Sequence, residues 1–226
     1  MLLSSKGLNI TEGLKERVAE HLRAFEVQRR TDASLRRAAV ALTLVDEAGG
    51  ADLPGMPEHG VASTRAALVL TRRSTDLRDH PGQWALPGGA LDEGEEPEDT
   101  ALRELYEEVG LQSDRSSVLG HLDDFVTRSG FVITPVVVWG GPNVTLAPNP
   151  EEVASIHRIP VQEFLRDDAP LLEEIPESEQ PVLRMPVGDS WIAAPTAAIL
   201  YQFREVALLG RETRVAHFEQ PLFAWR

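Results

Sequence analysis

The chain reads as an α/β sandwich, with helices covering both faces of a mixed β-sheet. Three observations predict this. Short apolar runs of strand length, such as Ala38-Ala-Val-Ala-Leu-Thr-Leu-Val-Asp46 and Ala66-Ala-Leu-Val-Leu-Thr71, recur along the sequence. Stretches with apolar residues at helical spacing are interleaved with them. The 226 residues, 42% apolar, suffice for one well-buried domain with decorations.

In chain order, residues 11–30 carry Leu14, Val18, Leu22 and Phe25 at helical spacing, and Thr11 suits the N-cap. This predicts an N-terminal helix. Arg29, Arg30, Arg36 and Arg37 at its basic end read as a solvated junction. Strands are predicted at 38–46 and 66–71, separated by a long loop at 47–64 rich in Gly, Pro and Ala. Trp84-Ala-Leu86 leads into Pro87-Gly88-Gly89, and a helix follows from Pro97 to Val109. Pro97 suits its first turn, Glu98 and Asp99 suit the positive end of the helix dipole, and Gly110 suits the residue after its end. Strands follow near 119–127, 132–139 and 153–158, then a short helix at 161–165. The acidic, proline-containing segment 167–181 reads as a surface loop, and 196–209 as a final helix between Pro195 and Gly210. The expected division is a helical extension at 1–35, a main domain at 36–210 and a tail at 211–226.

Chemistry concentrates in the helix after the glycine loop. At about 100° per residue, Ala101, Leu102, Leu105 and Val109 form one apolar stripe, while Glu104, Glu107 and Glu108 share another face. Like charges so placed repel, and helix propensity does not ask for three of them. A hard cation with oxygen ligands would remove the repulsion. Arg103, one turn before Glu107, is placed to hold that carboxylate. A solvated acidic face is the alternative, and the spacing weighs against it.

Gly89, five residues, Glu95, seven residues, then Arg103-Glu104-Leu105-Tyr106-Glu107-Glu108-Val109-Gly110-Leu111 resembles the whole Nudix box. The resemblance implies a Nudix-type α/β/α fold and hydrolysis of a diphosphate linked to another moiety, with Mg²⁺ or Mn²⁺. It implies that Glu104, Glu107 and Glu108 are metal ligands, joined by the carbonyl of Gly89. Arg103 then orients them, and Glu95 is an outer acidic position. Water is the nucleophile, and a glutamate near the metals accepts its proton. Related enzymes often take a further ligand or proton acceptor from a later loop, which makes Glu152 of Asn149-Pro-Glu-Glu-Val153 a candidate.

Residues 70–83, Leu-Thr-Arg-Arg-Ser-Thr-Asp-Leu-Arg-Asp-His-Pro-Gly-Gln, are similar to the signature of the coenzyme A diphosphatase branch of that superfamily. Thr127–Val137, 149–153 and Ala194–Tyr201 carry further likeness. This implies substrate contacts from Arg73, Arg78 and His80, and arginine suits bidentate phosphate binding. Pairing of Arg73 and Arg78 with Asp76 and Asp79 is the competing reading.

The net charge of −14 argues against general nucleic-acid binding, and no apolar run approaches a membrane span. Cysteine is absent, which excludes a disulfide framework and makes a cytoplasmic location the default expectation. The leading expectation is hydrolysis of coenzyme A or acyl-CoA to (acyl-)phosphopantetheine and adenosine 3′,5′-bisphosphate. The alternatives are a diphosphatase for ADP-ribose or another nucleoside diphosphate derivative, and a non-catalytic nucleotide-binding regulator. The partner is a small-molecule diphosphate, and the terminal helices are the candidate surface for a homodimer.

Overall fold

The computed structural model describes residues 8–77 and 80–221. The first helix, α1 (Glu12–Ala24), starts at Thr11, whose hydroxyl accepts from the Leu14 N–H at 3.3 Å. It buries Leu14, Val18 and Leu22, each worth about 1.5–3 kcal/mol when fully covered. The strands β1 (Arg36–Gly50), β2 (Glu58–Arg73), β3 (Trp84–Ala85) and β4 (Gly88–Ala90) precede α2 (Pro97–Val109). Then come β5 (Val118–His121), β6 (Phe125–Val126), β7 (Phe131–Gly141), β8 (Val153–Pro160) and α3 (Val161–Phe164). The chain ends with β9 (Leu171–Ile175), β10 (Ser178–Val187), β11 (Ser190–Ile192) and α4 (Ala194–Phe203), which continues as a wider helical turn over Arg204–Leu208.

The main sheet has eight strands in the order β3-β2-β1-β7-β5, with β4 against β1, β6 against β7 and β8 against β2. Within this sheet, among the described residues, β1 and β7 pair in parallel and the other pairs are antiparallel, so the sheet is mixed. The side-chain period of two splits the central strands between two cores. Ala39, Ala41, Ala67, Val69, Val136 and Val138 face α2, where Ala101, Leu105 and Val109 are buried. Leu42, Leu44, Leu68 and Leu70 face the other way, into a core shared with α1, α4 and the small sheet β11-β10-β9. Helices thus lie on both faces, as the α/β reading requires.

Two segments depart from the expected loops. Residues 47–64 are mostly strand: β1 and β2 stay paired beyond Asp46 through two bulges, and only 51–57 connects them. Glu47 is fully buried there, and its charge is met by Arg65 (2.7 and 3.0 Å), His59 (2.8 Å) and Ser63 (2.9 Å). A buried carboxylate with three partners sustains a strand that glycine content argues against. Residues 167–181 include β9 and the start of β10, a hairpin across Pro176-Glu177 joined by the Arg184–Glu173 ion pair. Its outer strand is exposed except at Ile175, so no alternation marks it in sequence.

Two aspartates bind both chain ends to the sheet. Asp123 accepts from the Gln28 N–H, the Gln202 amide and Arg214, each at 2.7 Å. Asp124 accepts from Arg29 (3.0 Å), the Arg30 N–H (2.8 Å) and the Thr134 hydroxyl (2.7 Å). The N-terminal helix therefore packs into the same core as the domain it precedes. No helix among the described residues is long and apolar enough to cross a membrane.

Candidate active site

Helix α2 is fixed at both ends and along one side. Glu96 and Asp99 form a reciprocal capping box, Pro97 opens the first turn, and Gly110 closes the helix with φ 71°. With Leu105 and Val109 held against the sheet, Glu104 and Glu108 lie one turn apart, toward the loop of β4. Strand β4 pairs Gly88 with Val40 and Gly89 with Ala39, which brings that loop against the helix. A Cβ on Gly89 would fall 2.1 Å from Glu104 Oε1, so only glycine leaves the carboxylate where it is. The Gly88 N–H is near enough to Glu108 to favour its charged form.

A second loop completes the group. The N–H groups of Ala147 and Asn149 each donate at 2.9 Å to the carbonyls of Val109 and Glu108, satisfying the end of α2. The backbone then turns into β8, and the Ser74 N–H donates to the Glu152 carbonyl at 2.8 Å. As a result, carboxylate oxygens of Glu104, Glu108 and Glu152 all lie within 4.8 Å of one another. Arg73, at the end of β2 opposite Val153, is near enough to offset charge on Glu108.

Repulsion and burial show in the proton affinities. Burial first, then Glu104 and Glu152, push the carboxyl of Glu108 up to about 8, against the pull of Arg73 and the Gly88 N–H. Glu104 is also raised, chiefly by burial, although Arg103 donates to it at 2.8 Å. Glu95 goes the other way. Arg103 donates to both its oxygens (2.9 and 3.1 Å) and Thr100 adds 2.7 Å, which hold its carboxyl down at about 2. Glu95 thus anchors Arg103, and Arg103 reaches both Glu104 and Glu107 (3.1 Å). Sequence reasoning left the role of Glu95 open and missed Thr100.

The expected residues are therefore placed unequally. Glu104, Glu108 and Glu152 converge, Gly89 lies against them and Arg73 faces them. Glu107 is outside the three-carboxylate group, its side chain 48% exposed and turned to Arg103. His80 lies in the turn before β3 with a left-handed φ of 56°, also outside the group. Arg78 and Asp79 lie outside the described residues.

Three carboxylates within reach of one point, one of them with a strongly raised proton affinity, form an oxygen donor set that a divalent cation would relieve. The residues present fit such an ion.

Comparison with known proteins agrees in kind. A family model described as the NUDIX domain matches residues 59–181, more than half of the chain. The chain is similar to an uncharacterized Nudix hydrolase NudL of Photorhabdus laumondii, 41% identical over 110 residues (46% of this chain, 57% of the relative). Another NudL, of Pectobacterium atrosepticum, is 39% identical over 138 residues (60% and 72%). The peroxisomal coenzyme A diphosphatase ndx-8 of Caenorhabditis elegans is 40% identical over 112 residues (48% and 48%). The chain thus spans little more than half the length of the first of these relatives.

Proposed function

From the membership of this chain in the Nudix hydrolase family, we propose that it hydrolyses the diphosphate bond of coenzyme A or an acyl-CoA. Water adds to one phosphorus as the anhydride bond breaks, giving (acyl-)phosphopantetheine and adenosine 3′,5′-bisphosphate. The observation that carries the hydrolytic reading is the convergence of Glu104, Glu108 and Glu152 beside Arg73. The coenzyme A reading is supported by residues 70–83 and by the likeness to the nematode coenzyme A diphosphatase.

Glu104, Glu108 and Glu152 would hold Mg²⁺ or Mn²⁺, with the Gly89 carbonyl as a further donor. When bound, the cation neutralises diphosphate charge and makes a bound water more acidic. The protein supplies the rest. Arg73 draws the anionic diphosphate toward a chain of net charge −14. Arg103, locked by Glu95, keeps Glu104 and Glu107 in register. Glu152, the exposed member of the three, is in this reading either the third ligand or the acceptor of the proton from the attacking water. Arg78 and His80 belong to the substrate contacts implied by the branch signature.

The test is turnover of coenzyme A beside ADP-ribose with Mg²⁺ or Mn²⁺ at mildly alkaline pH, with products resolved by anion exchange. Adenosine 3′,5′-bisphosphate from coenzyme A, with little turnover of ADP-ribose, is the expected result. AMP from ADP-ribose with coenzyme A untouched would discard the branch assignment, and binding without turnover of either would favour a non-catalytic regulator.

A further inference from the structure

A cavity of about 540 Å³ opens at the N-terminal end of α2, walled by Arg29, Arg30, Arg37, Glu98, Asp124 and Val132. Arg37 has the same strand parity as Ala39 and Ala41, so it stands on the face of β1 that α2 covers. Val132, its partner in β7, shares that face with Val136 and Val138. Arg30 also lines a second cavity of about 470 Å³, beside Phe125 and His217.

The acids here sit against groups other than the Arg30 and Arg37 guanidiniums. Asp124 is taken by Arg29, the Arg30 N–H and Thr134. Glu98 meets His121 at 2.9 Å, Glu96 accepts the helix N–H of its capping box, and Asp32 binds Ser34. Among the described residues neither the Arg30 nor the Arg37 guanidinium has a hydrogen-bond or ion-pair partner. Two such cations in one cavity, in a chain with 36 acidic residues against 22 basic ones, are matched to an oxyanion from outside.

We propose that Arg30 and Arg37 form a phosphate-binding site separate from the carboxylate cluster, built for a phosphate monoester. Glu108 lies ten positions after Glu98 in α2, about 15 Å along the helix axis, so one phosphate cannot occupy both places. Two sources share this chemistry. One is a second phosphate on the substrate itself, which rests on the coenzyme A reading above, and the other is a free phosphate-bearing metabolite.

The test begins with the metal-free protein, whose carboxylate cluster repels anions. Titration calorimetry with inorganic phosphate should show one site per chain, weakened about tenfold or more in the R30Q/R37Q double variant and partly kept in R30K/R37K. Both side chains are exposed, so the variants should unfold at the wild-type temperature. Absence of phosphate binding to the wild-type chain, or equal binding to the double variant, would overturn the proposal. Kinetics then separate the sources. A loss of kcat/KM in the double variant larger for coenzyme A than for dephospho-coenzyme A assigns the site to the substrate. Unchanged kinetics with lost phosphate binding assigns it to a free anion. If the wild-type enzyme turns over neither compound, the coenzyme A reading falls, while the calorimetric result stands on its own.

Discussion

Replacing Glu108 by Gln should make the metal-free protein more stable while removing its activity. Glu108 is 4% exposed, and its carboxyl is raised from an ordinary 4.5 to about 8. Its proton is therefore favoured by folding. The sign follows directly: stability is greatest below pH 4.5 and is lost as pH rises through the interval from 4.5 to about 8. At about 1.4 kcal/mol per pH unit over that interval, Glu108 destabilises the folded chain by about 3 kcal/mol at pH 7. Glutamine keeps the shape and the acceptor for the Gly88 N–H but carries no charge. For a chain of this size the gain corresponds to about 6–12 °C in Tm. Thermal unfolding in a chelator at pH 7, followed by circular dichroism, measures it. The same variant should lose the Tm increase that Mn²⁺ gives the wild-type protein, and turnover should fall below detection. A metal-free Tm for E108Q equal to or below wild type would refute the reasoning, because burial and repulsion could not then be the cause of the raised proton affinity.

Three further outcomes follow from the same geometry. Glu152→Gln should leave metal-free stability within about 0.5 kcal/mol, because the residue is exposed, yet lower kcat by about 10²-fold or more; near-wild-type kcat would remove it from catalysis. Gly89→Ala should displace Glu104, with a Cβ arriving 2.1 Å from its oxygen, so calorimetric Mn²⁺ affinity should drop by at least about tenfold with the far-ultraviolet spectrum unchanged, and an unaltered affinity would show that the loop yields freely. His157 and His121 are both lowered from 6.5, chiefly by burial, so the stability they contribute is present above pH 6.5 and lost as pH falls below it. Because Glu108 acts in the opposite direction, the urea midpoint should be compared between E108Q and E108Q/H157Q; the first should fall more steeply from pH 7 to 5, and parallel slopes would contradict the assignment.

How legible the molecule is in its sequence depends on whether the signal is local. Helix α2 runs from Pro97 to Val109 as expected, because proline, capping acids and glycine act within a turn of where they stand. The hydrophobic period likewise places α1 and the centres of β1, β2 and β7. Strand continued where glycine and proline argue for loop, at 47–64 and 167–181, because the deciding partners are distant. Glu47 needs Arg65 and His59, and Glu173 needs Arg184. The carboxylates divide in the same manner. A helical projection puts Glu104, Glu107 and Glu108 together, but it contains neither the sheet that covers Glu108 nor the Arg103 contact that turns Glu107 outward. Glu152 was reachable only through resemblance. What brings it to Glu108 is a pair of backbone hydrogen bonds from Ala147 and Asn149 to the last turn of α2, which no side-chain pattern encodes.

That division also explains how the fold tolerates a cluster of like charges. Each carboxylate is held by a different support: Glu104 and Glu108 by the apolar side of α2, Glu152 by the loop bonded to the helix end, and the glycine loop by its pairing with β1. No carboxylate can relax away without giving up contacts unrelated to charge. Ala101, Leu105 and Val109 are fully buried, and a leucine or valine so placed contributes about 1.5–3 kcal/mol. Together these match or exceed the roughly 3 kcal/mol that Glu108 costs at neutral pH. Packing on the sheet therefore keeps the repulsive arrangement assembled before any cation arrives. The ion then binds to carboxylates already in position, and the repulsion it relieves adds to its affinity instead of being spent on assembling the site.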